Sequence, residues 1–183
     1  HAGPGGDGHS TSNSSLEFFP YIDTLWFGEG FDYDQPPDYY LVELSGIPFG
    51  LSSEMLAGGG NPYRGMLYGM TNRLGWSGDP RSVWKVWDDF GIQDAKMVGY
   101  WVSSCPVKTG HDNVLATVYQ KKDKILVAIA SWSKQSVDFK LTIDWDALGL
   151  DRNKARLHIP SMIGNPDRSY IQDEEILSPS DNL

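Results

Sequence analysis

Cysteine is almost absent from the sequence, which holds one thiol, Cys105, in 183 residues. A single cysteine excludes an internal disulfide and any metal site built from several thiolates. No run of about 18 apolar residues occurs, so the sequence contains no candidate for a membrane-spanning helix. Metal-ligand spacing, a phosphate-binding loop and a Gly-x-Ser-x-Gly motif are also missing. The sequence therefore predicts a protein that uses neither a metal nor another cofactor and does not span a membrane.

Positive charge is scarce as well, with 15 Lys and Arg against 24 Asp and Glu and a formal net charge of −9. This balance repels nucleic acids and anionic membranes, so we expect a neutral partner. Hydrophobic residues make up 40% of the chain and aromatic residues 13%, which excludes a disordered or collagen-like class. At 183 residues the chain falls short of the roughly 250 residues of a complete eight-stranded (β/α) barrel.

The composition and residue pattern of the sequence change twice along the chain. Residues 1–17 are mostly Gly, Ser, Asn and His, which bury too little surface to fold, and they predict a flexible or cut N-terminal segment. This segment contains one glycosylation sequon, at Asn13. Residues 18–110 combine apolar runs, glycine-rich loops and a helix, whereas residues 111–183 carry β-type alternation. The sequence thus predicts an α/β part followed by an all-β part.

In the α/β part, two apolar runs predict strands that are covered on both faces, as in a parallel sheet. These runs are Phe18–Phe27 and Tyr39–Leu44. Short helices are predicted at Ser52–Leu56 and Tyr63–Leu74. The pair Asp79 and Pro80, an N-cap followed by a first helical position, predicts a helix that ends at Gly91.

In the all-β part, successive apolar stretches separated by polar turns predict an antiparallel meander. A strand from Lys96 to Val102 comes before it. The meander strands begin at Val114, at Ile125 and at Val137, and the last of them alternates strictly. A helical turn is predicted within Asp144–Leu150, followed by a strand at Ala155–Ile159. About four strands are few for a closed sandwich, so we expect an edge partner to be missing.

Carboxylates at and inside the apolar runs are the candidate catalytic groups. Ligands of a parallel α/β sheet lie beyond the carboxyl ends of its strands, and Glu29 follows the first run between two glycines. Glu43 and Asp23 interrupt apolar runs, where a carboxylate is costly to bury unless it is paired. All three are candidate catalytic residues. The alternatives are that Glu29 holds loop amides and that Glu43 orients another group.

Aromatic rings near these carboxylates suggest a sugar ligand. Rings cover the apolar faces of a pyranose, while one acid protonates the leaving oxygen and a second carboxylate acts as nucleophile, base or support. The candidate substrate-binding residues are Trp26, Tyr33, Asn61, Arg64 and Trp101, with further candidate rings at Tyr39, Tyr40 and Tyr63. Tryptophan and tyrosine are also common core residues, so a packing role is the alternative for each ring.

Four stretches of the sequence resemble a known enzyme family. They are YIDTLWFGEGFDYDQPPDYYLVELSGIPFG, GGGNPYRGMLYGMTNRLGW, DPRSVWKVWDDFGI and MVGYW. Over residues 18–150 the sequence resembles the carboxy-terminal part of family 123-like glycoside hydrolases. The resemblance implies that residues 18–110 form the last strands and helices of a (β/α)8 TIM barrel. It implies that residues 111–183 form an antiparallel β-sandwich without its final strand.

The resemblance transfers little of the catalytic machinery. Characterised family 123 enzymes use an adjacent Asp-Glu pair that assists the substrate acetamido group. Residues 18–110 contain no such dipeptide, and the one in this chain, Asp173-Glu174, lies in the tail. Only Glu29, within WFGEGF, is therefore a reasonable transfer, and the remaining part of the barrel is implied to come from elsewhere in the same protein.

The resulting hypothesis is a glycoside hydrolase, or the C-terminal section of one. Its expected partners are an oligosaccharide or glycan substrate and the N-terminal half of its own barrel. Its expected location is extracellular or in the secretory pathway. The alternative is a non-catalytic glycan-binding or structural module of a larger extracellular assembly.

Overall fold

Two compact units follow one another in the computed structural model, which divides the chain into His1–Pro80 and Arg81–Leu183. The residues that the structure describes are 16–25, 32–53, 55–56, 60–72, 74, 79–160, 162 and 168–170. The boundary predicted near residue 110, between an α/β part and an all-β part, therefore falls inside the second unit. No helix among the described residues has the length and apolar character that crossing a membrane requires.

The first unit contains short parallel strands joined by helical segments. Strand β1 (Thr24–Leu25) pairs in parallel with β2 (Ser52–Ser53), and β3 (Met55–Leu56) pairs in parallel with β4 (Thr71–Asn72). A single residue separates β2 from β3 in the sequence. The two pairs thus involve three consecutive parts of the chain, as in successive βα units.

Helical segments fill both parallel connections. Helix α1 (Pro37–Tyr39) continues into a π-helical turn, Tyr40–Leu44, and a 3-10 helix, Ile47–Phe49, follows before β2. Helix α2 (Pro62–Met66) lies between β3 and β4. A helical crossover is the usual connection between parallel strands. The α/β character predicted for this part is confirmed, and these pairs are compatible with part of a barrel.

Four predicted elements of this unit are wrong in whole or in part. The run predicted as a strand from Phe18 begins instead as a 3-10 helix, Leu16–Tyr21, and among residues 18–25, the part of the run that the structure describes, the strand is limited to β1. The second run, Tyr39–Leu44, is helical because Pro37 occupies the first helical turn, where its missing N–H costs nothing. The predicted helix at Ser52–Leu56 is replaced by β2 and β3. The helix predicted at Tyr63–Leu74 ends at Met66, and β4 lies within the predicted range.

The second unit begins with the helix that the sequence predicted most clearly. Helix α3 (Arg81–Phe90) buries Val83, Val86 and Phe90 and ends at Gly91, whose φ of 74° suits a residue without a Cβ. Lys121 Nζ donates hydrogen bonds to the carbonyl oxygens of Phe90 (3.4 Å) and Gly91 (3.3 Å). A cation thereby satisfies carbonyls at the helix C-terminus and ties α3 to the sheet.

The sheets of the second unit are antiparallel. Their strands are β5 (Lys96–Val98), β6 (Val107–Lys108), β7 (Val114–Gln120), β8 (Ile125–Ser131), β9 (Thr142–Ile143), β10 (Leu157–Ile159) and β11 (Arg168–Tyr170). Strands β5, β7 and β8 form one sheet in that order, while β6 pairs with β9 and β10 with β11. A short helix, α4 (Trp145–Leu148), is capped by Asp144, whose Oδ1 accepts the N–H of Ala147. The antiparallel pairing of β7 and β8 is confirmed, and the β-sandwich without its final strand stays a prediction.

The third predicted meander strand is only partly a strand. Side chains at Val137, Phe139, Leu141 and Ile143 are more buried than their neighbours, so the predicted alternation is present. Ladder pairing is nevertheless confined to β9, which pairs with β6 and not with β8. Alternation specifies which face is buried and does not specify the partner strand.

One apolar cluster forms the core of this unit. Its buried members are Val98, Cys105, Val107, Ala116, Val118 and Leu148, from β5, β6, β7, α4 and the loop that carries the thiol. The Cys105 thiol lies 3.4 Å from the Val107 carbonyl oxygen and 3.6 Å from that of Val98. The cluster therefore joins the three-stranded sheet to the β6–β9 pair.

Thr117 offers a test of packing on β7. The residue is completely buried, and its Oγ1 has no hydrogen-bond partner among the residues that the structure describes. Because valine has nearly the same shape and no hydroxyl to desolvate, Thr117→Val should raise the free energy of unfolding by about 1 kcal/mol. Denaturant titration measures this change, with the exposed Thr142→Val as the matched control. A loss of stability in Thr117→Val would contradict the burial of an unsatisfied hydroxyl.

Candidate functional site

The segment that follows the predicted catalytic loop is held by its own side chains. Asp32 Oδ1 accepts a hydrogen bond from the N–H of Asp34 (2.9 Å), and Asp32 Oδ2 accepts one from Gln35 Nε2 (2.8 Å). This is an Asx-type turn, and the prolines that follow it start α1. The sequence DYDQPP therefore reverses the chain locally and delivers it to the helix.

Two side chains converge on one main-chain oxygen of this segment. The Tyr40 hydroxyl donates to the Tyr33 carbonyl at 2.8 Å, and Arg64 Nη1 donates to the same oxygen at 3.0 Å. The Tyr68 hydroxyl donates to the Pro37 carbonyl at 2.9 Å. Tyr33, Tyr40, Arg64 and Tyr68 are called the tyrosine–arginine cluster below. The cluster links the segment after β1 to helix α2, 31 residues further along the chain.

The rings of this cluster are packed inside the unit. Tyr40 is 0% exposed, Tyr68 is 3% exposed and Tyr33 is 8% exposed. The Tyr40 and Tyr68 rings stack with centroids 5.8 Å apart, and the Tyr33 ring tilts against Tyr40 at 6.2 Å. The structure therefore places the Tyr33 ring in the core, where a packing role accounts for its burial.

Burial and nearby charges keep the Tyr40 hydroxyl protonated, so it can donate a hydrogen bond. Burial raises the pKa of Tyr40, and the carboxylates of Asp34 and Asp32 push it in the same direction. The Arg64 guanidinium, which hydrogen-bonds to the phenol, acts in the opposite sense but does not reverse the shift. Tyr40 therefore stays protonated at neutral pH, as its bond to the Tyr33 carbonyl requires.

Glu43 lies on the π-helical turn after α1 and is half-buried. This corrects the expectation that it interrupts a strand. The charge of Glu43 acts on the hydroxyl of Tyr39, one helical turn earlier. Burial raises the pKa of Tyr39, and the charges of Glu43 and Asp32 raise it further. Glu43 and Tyr39 therefore share one face of the helix.

Asp23 is exposed and lies just before β1, at the amino end of that strand. Its main-chain carbonyl accepts the N–H of Ser52 at 3.4 Å, which begins the pairing of β1 with β2. Catalytic side chains of (β/α) barrels lie at the carboxyl ends of strands. The main chain of Asp23 thus takes part in strand pairing, and a catalytic role for its side chain stays a prediction.

Asn61 caps helix α2. Its Oδ1 accepts the backbone N–H of Tyr63 (2.9 Å) and of Arg64 (3.3 Å), and the residue is exposed. An N-cap asparagine followed by proline at the first helical position is a common helix start. The cap orients α2, which in turn places the Arg64 side chain beneath the Tyr33 carbonyl.

Trp101 belongs to the second unit, in the turn after β5. Its ring meets Tyr100 edge to face with centroids 5.1 Å apart. The ring also covers Gly99 so closely that a Cβ at that position would overlap it. The glycine is thus required by the ring, and the half-buried indole has a structural contact of its own.

Three of the predicted residues, Glu29, Trp26 and the glycosylation candidate Asn13, lie outside the described residues. Glu29 follows Leu25, the last residue of β1, by four positions in the sequence. Among the other candidates, the structure brings Tyr33 and Arg64 together. Within the described ranges, no group of three or more His, Cys, Asp or Glu side chains could hold a metal ion.

Sequence reasoning missed the polar side chains at the ends of the short strands. Asn72, the last residue of β4, is buried, and its Nδ2 donates to the Gly60 carbonyl at 3.0 Å. Ser53, the last residue of β2, is also buried. Tyr68 was missed too, because its contact with Pro37 spans 31 residues and leaves no local pattern. Ser53 and Asn72 could have been identified as candidates only if β2 and β4 had been predicted as strands, because each residue ends one of them.

Two family models match the chain one after the other. The model for the glycoside hydrolase 123 TIM-barrel domain matches residues 5–75. The model for the glycoside hydrolase 123 C-terminal domain matches residues 79–181, which is more than half of the 183 residues. The two matches meet beside the boundary between the compact units, after Pro80. Neither a curated protein nor a solved structure matches the chain.

Proposed function

Because the chain belongs to the glycoside hydrolase 123 family, we propose that it hydrolyses glycosidic bonds of a glycan, with Glu29 as the acid/base or the nucleophile. The consecutive matches to both domain models are the observation that carries this proposal. A glycan outside the cell or in the secretory pathway is the proposed substrate.

The geometry of the first unit supports the choice of Glu29. Parallel strands joined by helical connections direct their carboxyl ends to one side, where ligands of such sheets bind. Glu29 follows the carboxyl end of β1, whereas Asp23 precedes that strand and Glu43 lies on a helix. Hydrolysis of a glycosidic bond uses two carboxyl groups in most families. We therefore assign the leading role to Glu29 and expect its carboxylate partner from another strand of the barrel.

Further polypeptide is proposed to complete the barrel around this part. The match to the barrel domain covers residues 5–75, whereas eight strand–helix units take about 200 residues or more. The 3-10 helix before β1 and the residue after it expose a row of apolar side chains, namely Leu16, Phe18 and Tyr21 on the helix and Ile22 just beyond it. Contiguous exposed apolar side chains mark a surface that another element covers. We propose that the preceding strand–helix units of the barrel cover this row.

Hydrolysis of a glycan by the complete protein tests the proposal. The protein is incubated with a panel of oligosaccharides and glycoconjugates, and the reducing ends released over time are quantified. We expect release from at least one glycan, and none from the heat-denatured protein. Binding of an oligosaccharide in calorimetry without any release would instead identify a non-catalytic glycan-binding module and overturn the proposal.

A further inference from the structure

We propose that a cavity beside strand β5 binds a sugar residue that carries a carboxylate, such as a uronic acid of a glycan. The cavity lies within the second unit, and its walls come from β5, the turn after it, the end of β7 and α4. The inference goes beyond the proposed function, because it concerns binding in the second unit and involves no hydrolytic step.

This space, called the β5 cavity, has the size of a site for one small ring. Its volume is about 290 Å³, close to the lower limit of the range of about 300–1,000 Å³ that is typical of ligand pockets. Its polar lining includes Lys96, Ser104 and Gln120. A single sugar ring therefore suits this volume better than an extended chain of sugars.

The register of the sheet explains how polar and apolar groups meet in the β5 cavity. Lys96 lies opposite Gln120, and Val98 lies opposite Val118, in the antiparallel pair of β5 and β7. Because side chains alternate along a strand, positions 96 and 98 share one face of the sheet. Val98 and Val118 belong to the buried core cluster on that face. The apolar row of the core thus continues into a polar pair at the end of the sheet.

Apolar side chains form one wall of the β5 cavity. Val98 is 9% exposed, and Val102 packs against the same core cluster. The half-buried Pro106 extends this wall. Small-molecule sites combine an apolar lining with a few placed polar groups, which matches the C–H face and the hydroxyl groups of a sugar ring.

The polar side chains of the lining have hydrogen-bonding capacity left. Lys96 forms no side-chain hydrogen bond or ion pair with any residue that the structure describes, so its ammonium keeps three donors. Gln120 Nε2 donates to the Leu148 carbonyl at 3.1 Å, which orients the amide and leaves its Oε1 as an acceptor. The hydroxyl of the exposed Ser104 both donates and accepts.

Lys96 determines the charge of the ligand that fits. Among the described residues that line the β5 cavity, it is the only charged one. A carboxylate accepts charge-assisted hydrogen bonds from an ammonium, and these are stronger than bonds between neutral groups. A sugar acid therefore gains a contact that a neutral sugar lacks, while its hydroxyl groups can bond to Ser104 and Gln120.

Main-chain hydrogen bonds hold the walls in place. The N–H of Cys105 donates to the Val102 carbonyl at 2.9 Å, which closes the turn between them. The N–H of Asp144 donates to the Pro106 carbonyl at 2.8 Å and joins that wall to the start of α4. The cavity is thus formed before a ligand enters, which lowers the entropic cost of binding.

Binding of simple glycosides to the complete protein tests the proposal. The probes are methyl glucuronoside, its neutral counterpart methyl glucoside, and acetate, and saturation-transfer NMR titrations give a Kd for each. Lys96→Met removes the ammonium and keeps an apolar stem, and Ser104→Ala removes the hydroxyl. Lys134→Met is the matched control, because Lys134 is an exposed lysine of the same unit and lies outside the cavity lining.

We expect the wild type to bind methyl glucuronoside about 10-fold more tightly than methyl glucoside or acetate. Lys96→Met should weaken binding of the glucuronoside by about 10-fold and Ser104→Ala by about two- to tenfold, whereas Lys134→Met should match the wild type. Equal Kd values for the charged and the neutral glycoside would overturn the proposal. Wild-type binding in Lys96→Met would place the sugar elsewhere and overturn it as well. Acetate that binds as tightly as the glucuronoside would overturn the choice of a sugar.

Discussion

Glu29→Gln is expected to lower kcat for glycan hydrolysis by about 10²–10⁴-fold. The amide has nearly the size of the carboxyl group, yet it neither transfers a proton nor attacks the anomeric carbon. KM should change little, since the shape of the site is preserved. Initial rates of the complete protein at saturating and limiting glycan measure both constants.

The matched control for this variant is Glu17→Gln. Glu17 is exposed on the 3-10 helix before β1, so its substitution changes the net charge by the same amount. We expect wild-type rates from it. Equal losses in both variants would attribute the effect to charge, and retention of full hydrolysis in Glu29→Gln would exclude a catalytic role for that carboxylate.

Tyr40→Ala is expected to destabilise the first unit by about 3–5 kcal/mol. The substitution leaves a cavity where a fully buried ring stacked on Tyr68, and it removes one of the two donors to the Tyr33 carbonyl. A loss of this size approaches the whole stability of a typical domain, about 5–15 kcal/mol. Native-state hydrogen exchange of the first unit measures it in the complete protein.

Leu74→Ala is the control for that loss. Leu74 is 50% exposed, so its side chain contributes less packing, and we expect a change of about 1 kcal/mol or less. Exchange in β7 and β8, which belong to the second unit, serves as an internal reference in both variants. A cost below about 1 kcal/mol for Tyr40→Ala would show that the stacked rings do not hold the first unit together.

Elements whose signals are local were predictable from the sequence. Helix α3 follows Asp79 and Pro80 and ends at a glycine, and Asp144 caps α4. Strands β7 and β8 are adjacent in the chain and joined by a polar turn, so their pairing needs no distant partner. In each case the residues that determine the element lie within it or beside it.

Elements that depend on distant contacts were not predictable in this way. The run YYLVEL suits either a buried strand or a buried helix, because six residues are too few to distinguish the period of a strand from that of a helix. The preceding Pro37 was the informative signal, as a proline at a helix start. Strands β2 and β3 have only two residues each, and pairing with other parts of the chain defines them.

The candidate site shows the same division. Asn61 has a local task at the start of α2, which its neighbouring proline indicates. Arg64 meets Tyr33 across 31 residues, and only the folded chain reveals that its donor points to a backbone oxygen. Residue type indicated the chemistry of the candidates, whereas the contacts of each side chain came from packing.

The burial of Cys105, the single thiol, makes its reactivity a measure of unfolding in the second unit. Cys105 is 4% exposed among the β5, β6 and β7 side chains. A maleimide or disulfide reagent therefore reaches its sulfur only when that half opens. Labelling rates across a denaturant series would follow the opening of Arg81–Leu183 separately from events in the preceding eighty residues, without introducing any substitution.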